Sequence, residues 1–341
     1  MQASGSVSSR VFRYDNLKFF LILLVVTGHF IDPFDEQSKV FQSLFLFIYS
    51  FHMPLFLFVS GLFTRTDTFS ARKIFLYLLL GYALKAAIFL IRRLFGRHPP
   101  FELFADSSVP WYLFVLAAFL GLAWLLRSIN PRILLPFCIL FACFAGYDIL
   151  VSDFFYLSRI LVFFPYFLAG YFFTPERLET FLQNKLLRIP AFILAFSFLL
   201  LCFFKLELVY PLRGLFTGRL PYAKIAALPG CSFFHRLLCY SISTIMGASI
   251  LILTPTCMIP IISRFGTRTL QVYFLHKPLF YVLIYLNLVP WLENTLGPTF
   301  WKPALLLIAI ASAILLSLKI FSRPFDAVLR FGRKPATPLE V

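Results

Sequence analysis

Tyr14-Asp15-Asn16-Leu17-Lys18-Phe19-Phe20-Leu21-Ile22-Leu23-Leu24-Val25-Val26-Thr27-Gly28-His29-Phe30 is an apolar run with charge at one end and a histidine near the other. Its uncharged part, Phe19 to Ile31, is shorter than the roughly 20 residues a helix needs to cross a bilayer, so a spanning helix must take in Asp15 and Lys18. At about 100° and 1.5 Å per residue, Lys18 and His29 fall within about 20° of one face and about 16 Å apart along the axis, with Asp15 near the same stripe. Ionisable groups on a spanning helix turn from lipid toward a bundle interior or a wet cavity, which makes Asp15, Lys18 and His29 candidate functional residues. Two plainer readings stand beside this one. Asp15 and Lys18 form an interfacial i, i+3 pair with Lys18 snorkelling and His29 closing the far end, or the stretch is a cleaved signal peptide. Against the latter stand Asp32, Asp35 and Glu36, where a small-residue cleavage site belongs.

The remainder of the chain extends that pattern. Of 341 residues 60% are hydrophobic, 46 are Phe and only 13% are charged, which excludes a soluble core and predicts an all-α, polytopic membrane helical bundle. The net charge of +16 is gathered in short segments between apolar runs, so it reads as loop topology and not as nucleic-acid binding. Cys138, Cys143, Cys202, Cys231, Cys239 and Cys257 contain no C-x-x-C and read as small hydrophobes.

Ten spans are predicted, at about residues 14 to 31, 40 to 63, 74 to 91, 111 to 126, 133 to 151, 157 to 174, 189 to 204, 236 to 254, 267 to 288 and 302 to 321. They give a lead over 1–13, a membrane domain over 14–322 and a basic tail over 323–341. Pro54 should kink or break the second span near His52. The segment 205–235 has the aromatic content of a folded cap or partly inserted loop. Basic residues at the N-terminus, at 64–73, 127–132 and 255–268 and in the tail place both termini in the cytoplasm and 205–235 outside. Two outer loops, 92–106 and 205–236, break the rule by carrying Arg and Lys. Either a span is miscounted or those cations serve an anionic ligand on the outer side.

Several short motifs recur in a familiar order: Tyr14 to Lys18 with Gly28-His29; Phe51-His52-Met53-Pro54-Leu55-Phe56 with Ser60-Gly61; Trp111-Tyr112-Leu113; Phe164-Pro165-Tyr166-Phe167-Leu168-Ala169-Gly170-Tyr171; and Ser263 to Leu270 with Tyr273-Phe274-Leu275-His276. Over nearly its whole length the chain resembles the membrane-bound acyltransferase 3 family, in its fucose 4-O-acetylase-like branch. Much of that family has arginine where Lys18 stands. The resemblance implies transfer of an acyl group, usually acetyl from acetyl-CoA, to a hydroxyl of a cell-surface glycan or glycolipid precursor at the plasma membrane.

O-acylation needs a base, a donor site and stabilisation of an oxyanion. His29 is the candidate base, its unperturbed pKa lying near neutrality, with Asp15 and Lys18 beside it on the stripe. Lys18, Arg65, Arg72 and Lys73 are candidate contacts for the phosphates of acetyl-CoA, or ordinary topogenic charge. His52, Trp111 and His276 are candidate substrate contacts. For His52 the alternative is a hydrogen bond to carbonyls freed by Pro54, for His276 a tie between helices, and for Trp111 an interfacial belt. No two histidines stand at ligand spacing, so no metal is expected. The competing function is a transporter or flippase for a small anionic or glycan substrate, with Lys18, His29 and His276 along its path.

Overall fold

A computed structural model describes residues 12–64, 69–106 and 108–330, apart from the side chains of 329 and 330. In chain order its helices are α1 (Arg13–Ile31), α2 (Lys39–Leu62), α3 (Ala71–Leu94), α4 (Trp111–Leu125), α5 (Pro131–Ala145), α6 (Leu157–Phe172), α7 (Pro175–Leu182), α8 (Arg188–Phe204), α9 (Leu206–Val209), α10 (Arg213–Phe216), α11 (Phe233–Leu253), α12 (Pro260–Gly266), α13 (Thr269–Tyr285), α14 (Leu288–Leu316) and α15 (Ser322–Arg330). The described residues contain no strand. Seven helical stretches, carrying α1, α2, α3, α6, α8, α11 and α14, are long and apolar enough to cross a membrane. The shorter α4, α5 and α13 are packed into the same bundle, and these ten helices correspond to the ten predicted spans.

Long-range hydrogen bonds sort the helix ends onto two faces. On the first face, Arg13 at the start of α1 donates to the Leu251 and Thr254 carbonyls at the end of α11. There too, Gln271 at the start of α13 donates to the carbonyls of Leu316, the last residue of α14, and Leu318 just past it. On the second face, Arg213 pairs with Asp32 at the end of α1, and the Phe155 amide donates to the Phe104 carbonyl. Successive spans alternate between the faces, so α14 ends on the first, and α15 is tied there to α13 through Phe274 and Phe325. Both ends of the described chain therefore lie on the same side.

Packing explains where the elements depart from expectation. Arg13, assigned above to the lead, opens α1 and is buried, with its guanidinium 3.2 Å from Glu179 of α7. The fifth span ends at Ala145 and not near 151, because Tyr222 of the insert sits against Gly146, where a Cβ would lie 2.4 Å from its ring. Helix α2 is not broken at Pro54. The Ser50 carbonyl, four residues earlier and deprived of its amide partner by the proline, accepts the Ser243 hydroxyl of α11 at 2.5 Å. The same helix sends the Tyr240 hydroxyl to the Val162 carbonyl, 2.7 Å away, one turn before Pro165 of α6. Helices α2 and α6 cross in backbone contact: a Cβ on Gly61 would lie 2.0 Å from the Phe167 carbonyl oxygen, and one on Gly170 would lie 1.9 Å from that of Phe58.

The 205–232 insert is folded. Short helices α9 and α10 and the 3-10 turn between them bury Val209, Leu212, Leu215 and Phe216, together with Tyr222 and Ile225, against Leu46, Cys202 and Cys239. Arg236 ties it to α11 by donating to the Leu215 carbonyl at 2.6 Å.

Candidate active site

Helix α1 runs its Lys18 to His29 stripe past three adjoining spaces. Toward the second face lies a chamber of about 370 Å³ whose lining includes His29, Asp32, Tyr49, Trp111, Arg159, Arg213, Arg219 and Lys277. Below it a passage of about 230 Å³ shares His29, Met53 and Trp111 with the chamber. Its remaining wall is mostly apolar, with Ile22, Val25, Leu113, Leu116 and Leu270, and the hydroxyls of Ser60, Tyr77, Tyr112 and Tyr273 interrupt it. Ser60, Tyr77 and Tyr112 also line a vestibule of about 290 Å³ that reaches Lys18 and Lys73 near the first face. His29 thus stands where a polar chamber meets an apolar passage.

The surrounding elements fix the histidines in different ways. The ring of His276 on α13 stacks on that of His29 with centroids 5.3 Å apart and planes 30° from parallel, while Tyr49 of α2 presents an edge to His29 at 6.5 Å. His276 is fully buried, and its Nδ1 lies 3.0 Å from the Val272 carbonyl. A carbonyl can only accept, so that nitrogen is the donor, and Nε2, which in the neutral ring is an acceptor, has no hydrogen-bond partner among the described residues. His52 uses its Nδ1 on the Ile48 carbonyl at 2.8 Å and lines neither the chamber nor the passage. The carbonyl freed by Pro54 belongs to Ser243 instead.

The chamber is ringed by cations. Arg213 reaches Asp32 at 2.7 Å and Asp35 at 3.1 Å, and lies over the Phe45 ring at 4.4 Å. Asp35 also accepts the Tyr210 hydroxyl, and burial together with that bond raises the Tyr210 pKa. Arg159 covers the Trp111 ring at 4.8 Å, donates to the Asp106 carbonyl at 2.9 Å and sits 3.5 Å from Asp153, which also pairs with Arg219. The loop before α4 is held by Lys85, which donates to the carbonyls of Glu102, Leu103 and Ala105 at 2.6, 3.1 and 2.9 Å. Burial raises the pKa of the Asp106 carboxyl in that loop, opposed by the Ser108 amide, Lys85 and Arg159.

Of the residues singled out from the sequence, His29 and Trp111 line the chamber, while His276, fully buried, meets it only through its stack on the His29 ring. Lys18 and Lys73 meet at the vestibule. Lys18 is bonded to Asp15 at 2.9 Å, the interfacial i, i+3 pair foreseen as the plainer reading, and is still partly exposed to the vestibule. Arg72 is half-buried at the start of α3 and does not line the vestibule. Arg65 lies outside the described residues. Sequence reasoning missed Arg159 and Lys277, lone charges inside apolar helices that the rule applied to Lys18 would have caught. It met Arg213 and Arg219 as exceptions to the loop-charge rule, with an anionic ligand on the outer side as one of two explanations.

In comparison with known proteins, the family model described as an acyltransferase domain, of the acyltransferase 3 type, matches residues 11–318. No curated protein and no solved structure matches.

Proposed function

This chain belongs to the acyltransferase 3 family and is a multi-pass membrane acyltransferase, and we propose that it moves an acetyl group from acetyl-CoA, entering at the first face, to a glycan or glycolipid hydroxyl held in the second-face chamber. The observation that carries this reading is the position of His29 at the junction of the two spaces. Family membership sets aside the transporter reading. In this proposal the first face is cytoplasmic and the membrane is the plasma membrane.

Each space suits one reactant. CoA is an anionic headgroup on a long uncharged arm ending in a thioester. Lys18 and Lys73 at the vestibule meet the phosphates, while the passage, apolar and furnished with the Ser60, Tyr77 and Tyr112 hydroxyls, suits the arm. The thioester carbonyl then arrives beside His29. Polar side chains in the chamber suit a sugar. His29, as a neutral imidazole, takes the proton of the acceptor hydroxyl as its oxygen attacks the thioester carbon. As the tetrahedral intermediate collapses, the C–S bond breaks and His29 returns that proton to the departing CoA sulfur. His276 keeps the His29 ring in plane by stacking, held in turn by its bond to Val272.

The test is acetyl-CoA consumption by purified protein in nanodiscs, with and without glycan acceptors. His29→Ala should lower turnover by about 10²-fold or more while the protein remains monodisperse. Turnover close to wild type in that variant would remove His29 as the base.

A further inference from the structure

We propose that the chamber's acceptor carries an oxyanion, a phosphate or carboxylate on the saccharide, and that Lys277 is the residue that binds it. The inference rests on the reading of the chamber as the acceptor side, and it follows from which of the chamber's cations are already neutralised.

Four cationic side chains line this space: Arg159, Arg213, Arg219 and Lys277. Three of them have carboxylates. Asp32 and Asp35 hold Arg213, and Asp153 serves both Arg159 and Arg219. Lys277 is different. It is 7% exposed, yet among the described residues it makes neither a hydrogen bond nor an ion pair. Its ammonium lies over the rings of Phe280 at 4.3 Å and Tyr281 at 5.4 Å. Ring faces attract a cation, but they accept none of the three N–H bonds an ammonium offers. Asp32 shares the chamber and is committed to Arg213; Asp106, in the loop before α4, lines a separate pocket with Lys85 and accepts the Ser108 amide at 2.6 Å. A buried charge without a partner is costly, and such charges are kept where something else completes them.

Position makes the missing partner a reactant. Lys277 follows His276, whose ring lies on His29, and lines the chamber with His29. An anion bound by Lys277 is held in the space where the hydroxyl must meet the base. A fixed point charge with three donors suits tetrahedral phosphate and planar carboxylate alike.

The experiment is a binding titration without donor, followed by tryptophan fluorescence because Trp111 lines the chamber. The probes are glucose, glucose 6-phosphate and glucuronic acid, with protein in nanodiscs of zwitterionic lipid. Wild type should bind one or both charged sugars about 10- to 150-fold more tightly than glucose, the range of a charge-assisted contact. Lys277→Met should abolish that preference without weakening glucose binding, and Lys277→Arg should restore most of it. Equal binding of charged and neutral sugars by wild type, binding of none of them, or a preference that survives Lys277→Met would each overturn the proposal. So would lipid phosphate that copurifies with wild type but not with Lys277→Met, together with no preference among the sugars, since a headgroup would then be the partner. The wild-type comparison needs no variant to fold. Charged-sugar preference in a protein whose His29→Ala variant retains full turnover would sink the His29 mechanism and leave the anion site standing.

Discussion

Replacing Gly170 by alanine should push apart two helices, α2 and α6, that both line the chamber. The added Cβ would lie 1.9 Å from the Phe58 carbonyl oxygen and 2.8 Å from its carbon, where ordinary contact begins at 3.4 Å, so the pair is 1.5 Å too close. The obstruction is backbone and cannot rotate away. Overpacking a core costs about 1–3 kcal/mol when side chains give, and a clash with a rigid helix should reach the top of that range, about 3 kcal/mol. At about 2–4 °C per kcal/mol the unfolding midpoint drops by roughly 6–12 °C. Gly121→Ala is the matched control, since a Cβ there meets nothing within 4 Å. The functional effect should exceed the loss of folded protein. Helix α6 carries Arg159 and Phe163 into the chamber opposite His29, and a misplacement of about 1 Å can cost about 10²-fold in rate. Heating detergent-solubilised variants and scoring the surviving monodisperse peak, then assaying turnover per folded molecule, separates the two effects. A Gly170→Ala protein as stable and active as Gly121→Ala would refute the crossing as described.

Other outcomes follow from residues already placed. Arg13→Met strands the mostly buried Glu179 carboxylate and should cost about 3–5 kcal/mol in denaturant unfolding, with part recovered in the Arg13→Met/Glu179→Met double variant; additive losses would show that the pair does not interact. Lys18→Ala should raise the donor KM by roughly 10-fold, the low end for a charge-assisted contact because the side chain is partly exposed, and Lys18→Arg should preserve it. An unchanged KM would reduce Lys18 to the interfacial partner of Asp15. In intact cells an impermeant maleimide should label Lys224→Cys, in a chain with Cys231 replaced by Ser, and spare the exposed Cys257 on the opposite face; the reverse pattern would invert the topology.

What the sequence disclosed and what it hid have a common physical cause. Span periodicity and the charge at each end of α1 are local, so the bundle and the Lys18 to His29 stripe were readable along one helix. Partnerships between distant residues were not. Nothing near Pro54 announces that Ser243, 193 residues from the Ser50 carbonyl it reaches, supplies the missing donor, which is why His52 looked like the natural candidate. The early end of α5 depends on Tyr222 covering Gly146. Arg213 and Arg219 were noticed because they broke a statistical rule, but only the folded insert turns that exception into the wall of a chamber. Arg159 and Lys277 escaped because single charges in Phe-rich runs lower the local hydropathy very little.

The apolar wall between vestibule and chamber has an electrical consequence. A membrane that houses this enzyme must hold its voltage while open volume lies on both sides of His29. Sodium or hydronium entering the passage would shed its water among Ile22, Val25, Leu113 and Leu270 and find no carboxylate in exchange, at a cost of at least several kcal/mol per ion. An uncharged thread carrying a thioester sheds far less. On the proposed reading, the residues that would admit the donor's uncharged arm also insulate the two compartments, and a carboxylate introduced at Val25 should turn the passage toward a leak.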